Sequence, residues 1–432
     1  MPIRISGSTG ISGLDGSASA PVYAGANTNI GLFVSGNTVN VSATNLSVGN
    51  TVVSNSGVSV GGIAVSQYSG MMKNRIINGD FRIDQRFAGA ANNNIAANQY
   101  VVDRWFNFAS AAAKLRYQQN NINGPGSAAT QIATGFPNYF GANVVSSNTV
   151  NSTDYWALAQ TIEGHNISDL GWGTANAPPV TLSFWSYSSV PGTHGGTIAA
   201  PGDNSSYPFT YTINTANTWQ YQTITIPGPT SGGTAAWYTN NSIGMTVYFS
   251  LGVGSAYSRS NTFTWGAAGQ QWPTGTVNVV SNANGSFYLT GVQLEKGSQA
   301  TAFDFRHYTT ELQLCQRYFQ KSYNPDIAVG TATSTGNSGY IEWNWGMMTT
   351  NATVTVFMKQ TMRDSPTFTT YRIGDGTING FAYWNGSTTV QATGTLSGFG
   401  RGANIVTWFM DGTSRSNMQF HWMASAELGA QN

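Results

Sequence analysis

Residues 180–190 read VTLSFWSYSSV, and the pattern within them indicates the fold class. Within it, the apolar residues Leu182 and Phe184 alternate with the hydroxylated residues Thr181 and Ser183. Alternation at period two is typical of a strand in an antiparallel sheet, with one apolar face and one polar face. The stretch therefore predicts a half-buried β-strand.

Further short runs of aromatic and β-branched residues lie on both sides of this stretch, separated by segments rich in Gly, Asn and Pro. They are YVVDRWFNF (100–108), PFTYTI (208–213), WQYQTITI (219–226), MTVYFSLGV (245–253), VNVV (277–280) and SFYLTGVQL (286–294). Many short strands separated by turn residues indicate an antiparallel β-sandwich. The size and strand number favour a jelly roll over an immunoglobulin-like domain, and we assign this domain to residues 71–306.

The segment 1–70 has a different character, because no Asp, Glu, Lys or Arg occurs between Asp15 and Lys73. The phrases VSGNTVNV (34–41), LSVGNTVV (46–53) and VSNSGVSV (53–60) are similar to one another, which suggests a degenerate repeat of short strands. One such copy cannot bury an apolar face alone, whereas three copies around one axis can. We interpret this segment as a fibrous β shaft of a homotrimer; a Gly/Ser/Asn linker is the alternative.

Residues 307–323 form a helical connector in this interpretation. Within HYTTELQLCQRYFQK (307–321), four residues fall at helical spacing, and Asn324-Pro325 is expected to end the helix. These four residues are Tyr308, Leu312, Cys315 and Phe319. Their stripe packs either on the chain's own sandwich or against two other copies at a three-fold axis.

Residues 324–432 again contain short β-like runs, such as PTFTTYRI (366–373) and MQFHWMASAEL (418–428). They predict a second, smaller β-sandwich. The whole chain is therefore predicted to be all-β apart from the short connector helix.

Composition limits the function. Only 8% of the 432 residues are charged, against about 25% in typical globular proteins, and the net charge is +1. Such a chain has no basic patch for nucleic acid or for an anionic membrane, and it contains no long apolar run that could insert into a bilayer. A surface of hydroxyls and amides is typical of rigid extracellular proteins such as virion fibres.

The bracketing phrases of the predicted jelly roll resemble a known family. NRIINGDFRIDQR (74–86), VDRW (102–105) and LTGVQLEKG (289–297) resemble phrases in the tail-fibre and receptor-binding proteins of tailed bacteriophages. In that family these phrases enclose a jelly-roll module similar to carbohydrate-binding modules. Met362-Arg363 and Ala426-Glu427-Leu428 resemble the start and end of the small domain that often comes after it.

The N-terminal phrase RISGSTGISG (4–13) is similar to the head of virion structural proteins of marine phages. The resemblance implies a homotrimer attached to other tail or baseplate proteins through residues 1–70. It also implies an adhesin that binds a host surface glycan, with residues 324–432 as a candidate distal receptor-binding tip. Virion localisation is implied by the same resemblance.

Charged residues are rare in this chain, and several of them lie together in the bracketing phrases. We interpret these residues as structural ion pairs that fix strand register and subunit orientation, not as ligand contacts. They are Arg82, Asp84, Arg86, Asp103, Arg104 and Glu295.

Sugars bind neutral protein surfaces through exposed aromatic faces with polar groups at the rim. Five aromatic residues lie in Gly-rich, loop-like contexts, where an exposed ring is less easily explained as core. These candidates are Trp172, Trp237, Tyr238, Trp265 and Trp272. Packing against the sandwich is the alternative for each, and Trp105, Trp185 and Trp219 in alternating strands are assigned to the core.

No catalytic constellation is evident. Glu163, Asp169, Asp203 and Asp304 lack the spacing of a glycosidase pair, and no nucleophile elbow or phosphate loop occurs. The single cysteine and four scattered histidines give no metal-ligand pattern, so no cofactor and no metal are expected. The alternatives to a receptor-binding fibre are a structural virion connector and a tailspike-like depolymerase.

Overall fold

The computed structural model describes most of the chain from residue 72 onward, together with four strands between residues 45 and 65. The described ranges are 45–48, 51–54, 57–60, 63–65, 72–92, 96–120, 134–201, 205–230, 237–266, 272–336, 352–384, 387–393, 397–410 and 416–429. The predicted attachment phrase at residues 4–13 lies outside them.

Short strands form in the repeat segment, as its alternation predicts. β1 (Asn45–Val48), β2 (Thr51–Ser54), β3 (Gly57–Val60) and β4 (Ile63–Val65) make an antiparallel meander in which each strand pairs with the next. The association of this segment with two further copies stays a prediction.

The predicted sandwich is present, and its strands form two antiparallel sheets. These strands are β5 (Tyr100–Val102), β6 (Trp105–Ala109), β7 (Leu115–Gln119), β8 (Phe140–Val144), β9 (Tyr155–Glu163), β10 (Val180–Ser188), β11 (Gly192–Ala199), β12 (Ser206–Ile213), β13 (Gln220–Ile226), β14 (Ile243–Val253) and β17 (Ser286–Lys296). One sheet has the order β13-β10-β17-β8-β7 and the other has the order β12-β11-β14-β9-β6-β5. The two-residue strands β15 (Ser258–Arg259) and β16 (Trp272–Pro273) pair with each other beside the second sheet.

The core lies between the two sheets. The Trp105 ring is fully buried, with its centroid 4.9 Å from that of Phe81, and the Phe184 and Phe249 rings are also 4.9 Å apart. The inward residues of β10 are Leu182 and Phe184, as the alternation in the sequence predicts.

The connector contains a shorter helix than expected. The helix α1 spans Tyr308–Gln316, and Phe319 lies in the strand β18 (Phe319–Lys321). The predicted helical position of Phe319 is therefore wrong. Pairing with β26 (His421–Ser425) takes precedence over local spacing, because it satisfies the backbone of residues 319–321 within a sheet.

The C-terminal part is β, as predicted, and its strands form three small antiparallel sheets. Besides β18 and β26 they are β19 (Ala352–Phe357), β20 (Thr367–Tyr371), β21 (Gly380–Trp384), β22 (Thr389–Thr393), β23 (Ser397–Arg401), β24 (Ile405–Met410) and β25 (Ser416–Gln419). The sheet orders are β18-β26-β20, β19-β24-β23 and β22-β21-β25. Phe420 and Trp422 are buried at the centre of this part.

Candidate functional site: an aromatic cleft

Three of the five aromatic residues that the sequence nominates for sugar binding are buried. Trp172, Trp237 and Trp272 are 3%, 2% and 2% exposed, so no face of these rings is open to a ligand, and their assignment is corrected. Trp172, Trp237 and the half-buried Trp265 pack edge to face, with centroids 4.9–5.5 Å apart. Trp272 packs on Tyr248 at 5.3 Å. The Gly-rich surroundings are places where the chain bends around large rings.

Tyr238 alone of the five is well exposed, at 45%. Since Trp172 and Trp237 are buried, neither ring can form an exposed sugar-binding surface together with Tyr238.

The outer face of the five-stranded sheet carries a different set of rings. Trp185 of β10 lies opposite Tyr221 of β13 and opposite Thr290 of β17. The centroids of Trp185 and Tyr221 are 5.4 Å apart. Tyr221 is 47% exposed and Trp185 is partly exposed, so both rings are accessible. The assignment of Trp185 to the sandwich core is therefore corrected, because the residue lies on the outward side of β10 with Thr181 and Ser183.

A second group of rings faces them. We call Phe136, Phe303 and Phe305 the phenylalanine wall. The Phe136 ring lies 4.8 Å from that of Phe303 and 5.2 Å from that of Phe305, and Phe305 is 59% exposed. Phe136 rests on Gly291, where β17 bulges and φ is +60°. Because Gly291 has no side chain, the Phe136 ring of the phenylalanine wall can lie directly against the sheet at this bulge.

The space between these two groups is the aromatic cleft. It has a volume of about 290 Å³, and Ser183, which is 3% exposed, contributes to its lining. Thr134 and Thr301 add hydroxyl groups, and every lining residue is uncharged. Apolar faces with a few hydroxyls around them suit a neutral, polyhydroxylated ligand.

Sequence reasoning missed Trp185, Tyr221 and the phenylalanine wall. For Trp185 a signal existed, since its position has the same parity as Thr181 and Ser183 and the opposite parity to Leu182 and Phe184. Phe136, Phe303 and Phe305 carry no such signal, because they lie outside the strands and reach the cleft through tertiary packing.

Two arginines of the bracketing phrases meet at Glu427. Arg104 and Arg86 both bind the Glu427 carboxylate, and the Arg86 guanidinium lies 3.8 Å from the centroid of the Phe319 ring. We call Arg86, Arg104, Phe319 and Glu427 the junction hub, since it joins the sandwich to the C-terminal part. A second cavity of about 270 Å³ lies beside the hub, but its one charged group, Arg86, already binds Glu427.

The aspartates of these phrases do not pair with the arginines as expected. Asp84 accepts hydrogen bonds from the backbone amides of Phe87 and Gly89, at 3.0 and 2.7 Å. Asp103 accepts two hydrogen bonds from Gln85, and burial raises the pKa of Asp103 to about 6. The expectation of Arg–Asp pairs is corrected at these positions, because turn amides bind Asp84 and the backbone and side-chain amides of Gln85 bind Asp103.

Arg82 pairs with Asp80 at 2.5 Å, and Glu295 accepts hydrogen bonds from Thr301 and Gln293. These residues hold loops in place.

The predicted trimer stripe on the helix packs within the chain. Cys315 is fully buried with Ile77, Tyr318 and Leu428, and Leu312 packs against the same group. Burial raises the pKa of the Cys315 thiol well above its ordinary value. Cys315 and the buried Phe319 are therefore not available to a second copy, and of the two alternatives for the stripe the structure shows packing within the chain. Leu312 is partly buried, and Tyr308 is 48% exposed.

Within the described residues, no group of three or more His, Cys, Asp or Glu side chains could hold a metal ion. No helix in the described parts of the chain is long and apolar enough to cross a membrane.

No protein-family model and no curated protein matches the sequence. Among solved structures, the enzymatically active domain of tailspike protein 4 of bacteriophage CBA120 is similar at 12% identity, with a TM-score of 0.27. The similarity covers 52% of this chain and 21% of that one, so this chain spans about a fifth of that protein.

Two further structures are similar. TmCBM61, solved in complex with β-1,4-galactotriose, is 12% identical over 52% of this chain and 98% of its own, with a TM-score of 0.25. The tripod from the baseplate of bacteriophage Tuc2009 is 11% identical over 84% of this chain and 91% of its own, with a TM-score of 0.22. Tailspike, baseplate and carbohydrate-binding proteins are thus among the proteins that this chain distantly resembles.

Proposed function

We propose that this chain is a receptor-binding tail fibre of a bacteriophage, and that its aromatic cleft binds a glycan on the host surface. The observation that carries the proposal is the pairing of the accessible Trp185 and Tyr221 rings with an uncharged cleft. The family phrases around the sandwich support the assignment to a phage virion, with residues 1–70 as the attachment and shaft segment.

We also propose that the activity is binding without catalysis. Three of the carboxylates considered for a glycosidase pair form ion pairs with arginines. Glu163 binds Arg317, Asp169 binds Arg75, and Asp304 lies 3.6 Å from Arg306. Glycoside hydrolysis needs two carboxyl groups facing the same bond, and no carboxyl group of the described residues lines the aromatic cleft. Asp203 lies outside the described residues.

The cleft is tested with the matched pair Tyr221→Ala and Tyr238→Ala. The two tyrosines are 47% and 45% exposed, so their removal perturbs folding to a similar small extent. Binding to host cells and to a panel of neutral glycans is measured for both. We expect Tyr221→Ala to weaken glycan binding about tenfold, because an aromatic contact contributes about 0.5–1.5 kcal/mol beyond its buried area.

Unchanged binding by Tyr221→Ala, with a loss in Tyr238→Ala, would move the site to the loop that the sequence nominates. Stable capture of the protein by fibreless particles, without any binding to cells or glycans, would favour a structural connector. Release of reducing ends from host polysaccharide would establish a depolymerase.

The homotrimer is the remaining part of the proposal. Light scattering should give about 138 kDa, three times the 45.9 kDa chain. Three weak sites on one rigid particle gain about 10²–10⁴ in avidity when their spacing matches the glycan array. A monomer would leave the segment 1–70 as a linker.

A further inference from the structure

The aromatic cleft is bounded by a built-in strap, residues 301–305, which runs over the outer face of β17. The Glu295 carboxylate accepts hydrogen bonds from the Thr301 amide at 2.7 Å and from the Thr301 hydroxyl at 2.6 Å. Further along the strap, the Asp304 amide donates to the Gln293 side chain at 2.8 Å. Both acceptors are buried residues of β17, so the strap is fixed to the sheet at two points.

Lys73 fixes the same strap from outside the sheet. Its ammonium group donates to the Ala302 carbonyl at 2.7 Å and also contacts the Thr301 hydroxyl. The Glu295 carboxylate and the Lys73 ammonium group bind the strap from opposite sides, so the strap is fixed to the folded sandwich.

The outer face of β10 is closed in the direction of this strap. Thr181 is fully buried and Ser183 is 3% exposed, whereas Trp185 and Tyr187 are partly exposed. The Thr181 hydroxyl donates to the Gly297 carbonyl at 2.8 Å, so the turn after β17 covers this end of the strand. The open part of the face begins at Trp185.

The side of the cleft toward β8 is closed as well. The Thr290 hydroxyl of β17 donates to the Asn138 carbonyl at 2.6 Å, and Phe136 covers Gly291. Residues 134–139 and the strap together cover β17 along its length. Among the described residues, these segments cover β17, and the Trp185 and Tyr221 side of the cleft is left open.

From this geometry we propose that the cleft takes the terminal one or two residues of a neutral glycan and does not accept the interior of a chain. This inference rests on the proposed glycan-binding function. The interior of a chain must leave a site in two directions, whereas the strap and the covered Thr181 end of β10 close two sides of the cleft within the described residues. The volume of about 290 Å³ lies just below the range of about 300–1,000 Å³ for ligand pockets, which suits a short ligand.

The test compares disaccharides with hexasaccharides of the same linkage. Cello-, malto-, laminari-, xylo- and galacto-oligosaccharides are titrated against the full-length protein by calorimetry. In a series that binds, we expect the disaccharide and hexasaccharide to have molar affinities within about twofold of each other. A hexasaccharide that binds about tenfold more tightly would overturn the inference and leave the glycan-binding function intact. No binding in any series, and none to host polysaccharide, would overturn the function itself.

The strap is tested with Phe305→Ala and the control Phe263→Ala, since both rings are exposed, at 59% and 46%. We expect Phe305→Ala to weaken disaccharide binding about tenfold and to make longer chains bind better than short ones. Phe263→Ala should leave both affinities unchanged. If Phe305→Ala bound the disaccharide and the hexasaccharide equally well, and as tightly as the wild type does, the phenylalanine wall would have no role in selecting chain ends.

Discussion

Arg104 and Glu427 form an ion pair in which both side chains are only 1% exposed. Arg104 also donates to the Thr161 carbonyl at 2.5 Å and stacks on the Tyr318 ring at 3.5 Å. A buried pair of this kind adds little net stability, but the loss of one partner leaves a charge without compensation in the interior.

We expect Glu427→Gln to lower the free energy of unfolding by about 3–5 kcal/mol, because Arg104 then remains buried and charged. Urea unfolding followed by circular dichroism measures the effect. Asp375→Asn is the control, since its pair with Arg372 is exposed and should contribute little. Equal stability of the two variants would contradict a structural role for the junction hub.

For single residues, the sequence predicts well which face of a strand a side chain lies on, and it predicts poorly which charged residues pair with each other. The alternation in β10 places Leu182 and Phe184 inside and leaves Trp185 outside. The partner of Arg104 could not be predicted, because Asp103 lies next to it in the chain while Glu427 arrives from the far end. A neighbouring opposite charge is a poor guide when amide donors from elsewhere in the chain bind the carboxylate, as Gln85 binds Asp103.

At the scale of elements, the bulge in β17 makes the aromatic cleft possible. Gly291 has φ of +60°, and a Cβ atom there would lie 2.5 Å from the Phe136 ring. Any other residue is strained by the backbone and displaces the wall.

We therefore expect Gly291→Ala to lose about 1–3 kcal/mol of stability from backbone strain and to bind glycan more weakly, because Phe136 must move. Gly275→Ala is the matched control: its φ is +74°, but nothing lies within 4 Å of the added Cβ atom. Thermal unfolding and calorimetry separate the two effects. Wild-type glycan affinity in Gly291→Ala would mean that the wall does not contact the ligand.

The existence of most elements could be predicted, since alternation and turn residues give a local signal. Residue spacing predicts helix α1, but its end at Gln316 depends on the pairing of β18 with β26. The site is harder still to predict. The strap and the phenylalanine wall belong to no regular element, and only packing brings them to β17.

At the scale of the molecule, the sandwich and the C-terminal part share buried residues. Leu428 packs with Ile77, Ile83 and Tyr318, and the Tyr100 hydroxyl donates to the Leu428 carbonyl at 2.6 Å. The sandwich at 71–306 therefore has an apolar and charged face that the C-terminal part covers.

We expect a fragment of residues 71–306 to unfold at a lower temperature than a fragment of residues 71–432, because Arg86 and Arg104 lose Glu427 and the Ile77 cluster becomes exposed. Circular dichroism melts of both fragments measure the difference. Identical melting temperatures would show that the sandwich is independent of the C-terminal part.

The junction hub joins residues that are far apart in the sequence, and this separation affects folding during synthesis. Arg104 and Glu427 are 323 residues apart. Ribosomes add about 5–20 residues per second, so on the order of 15–65 s separates the synthesis of the two partners. During that time Arg104 has no Glu427 carboxylate to pair with, so the nascent sandwich lacks the ion pair of the complete chain. A chain that ends before residue 427 lacks this ion pair, and we expect it to be cleaved by proteases more readily than the complete chain.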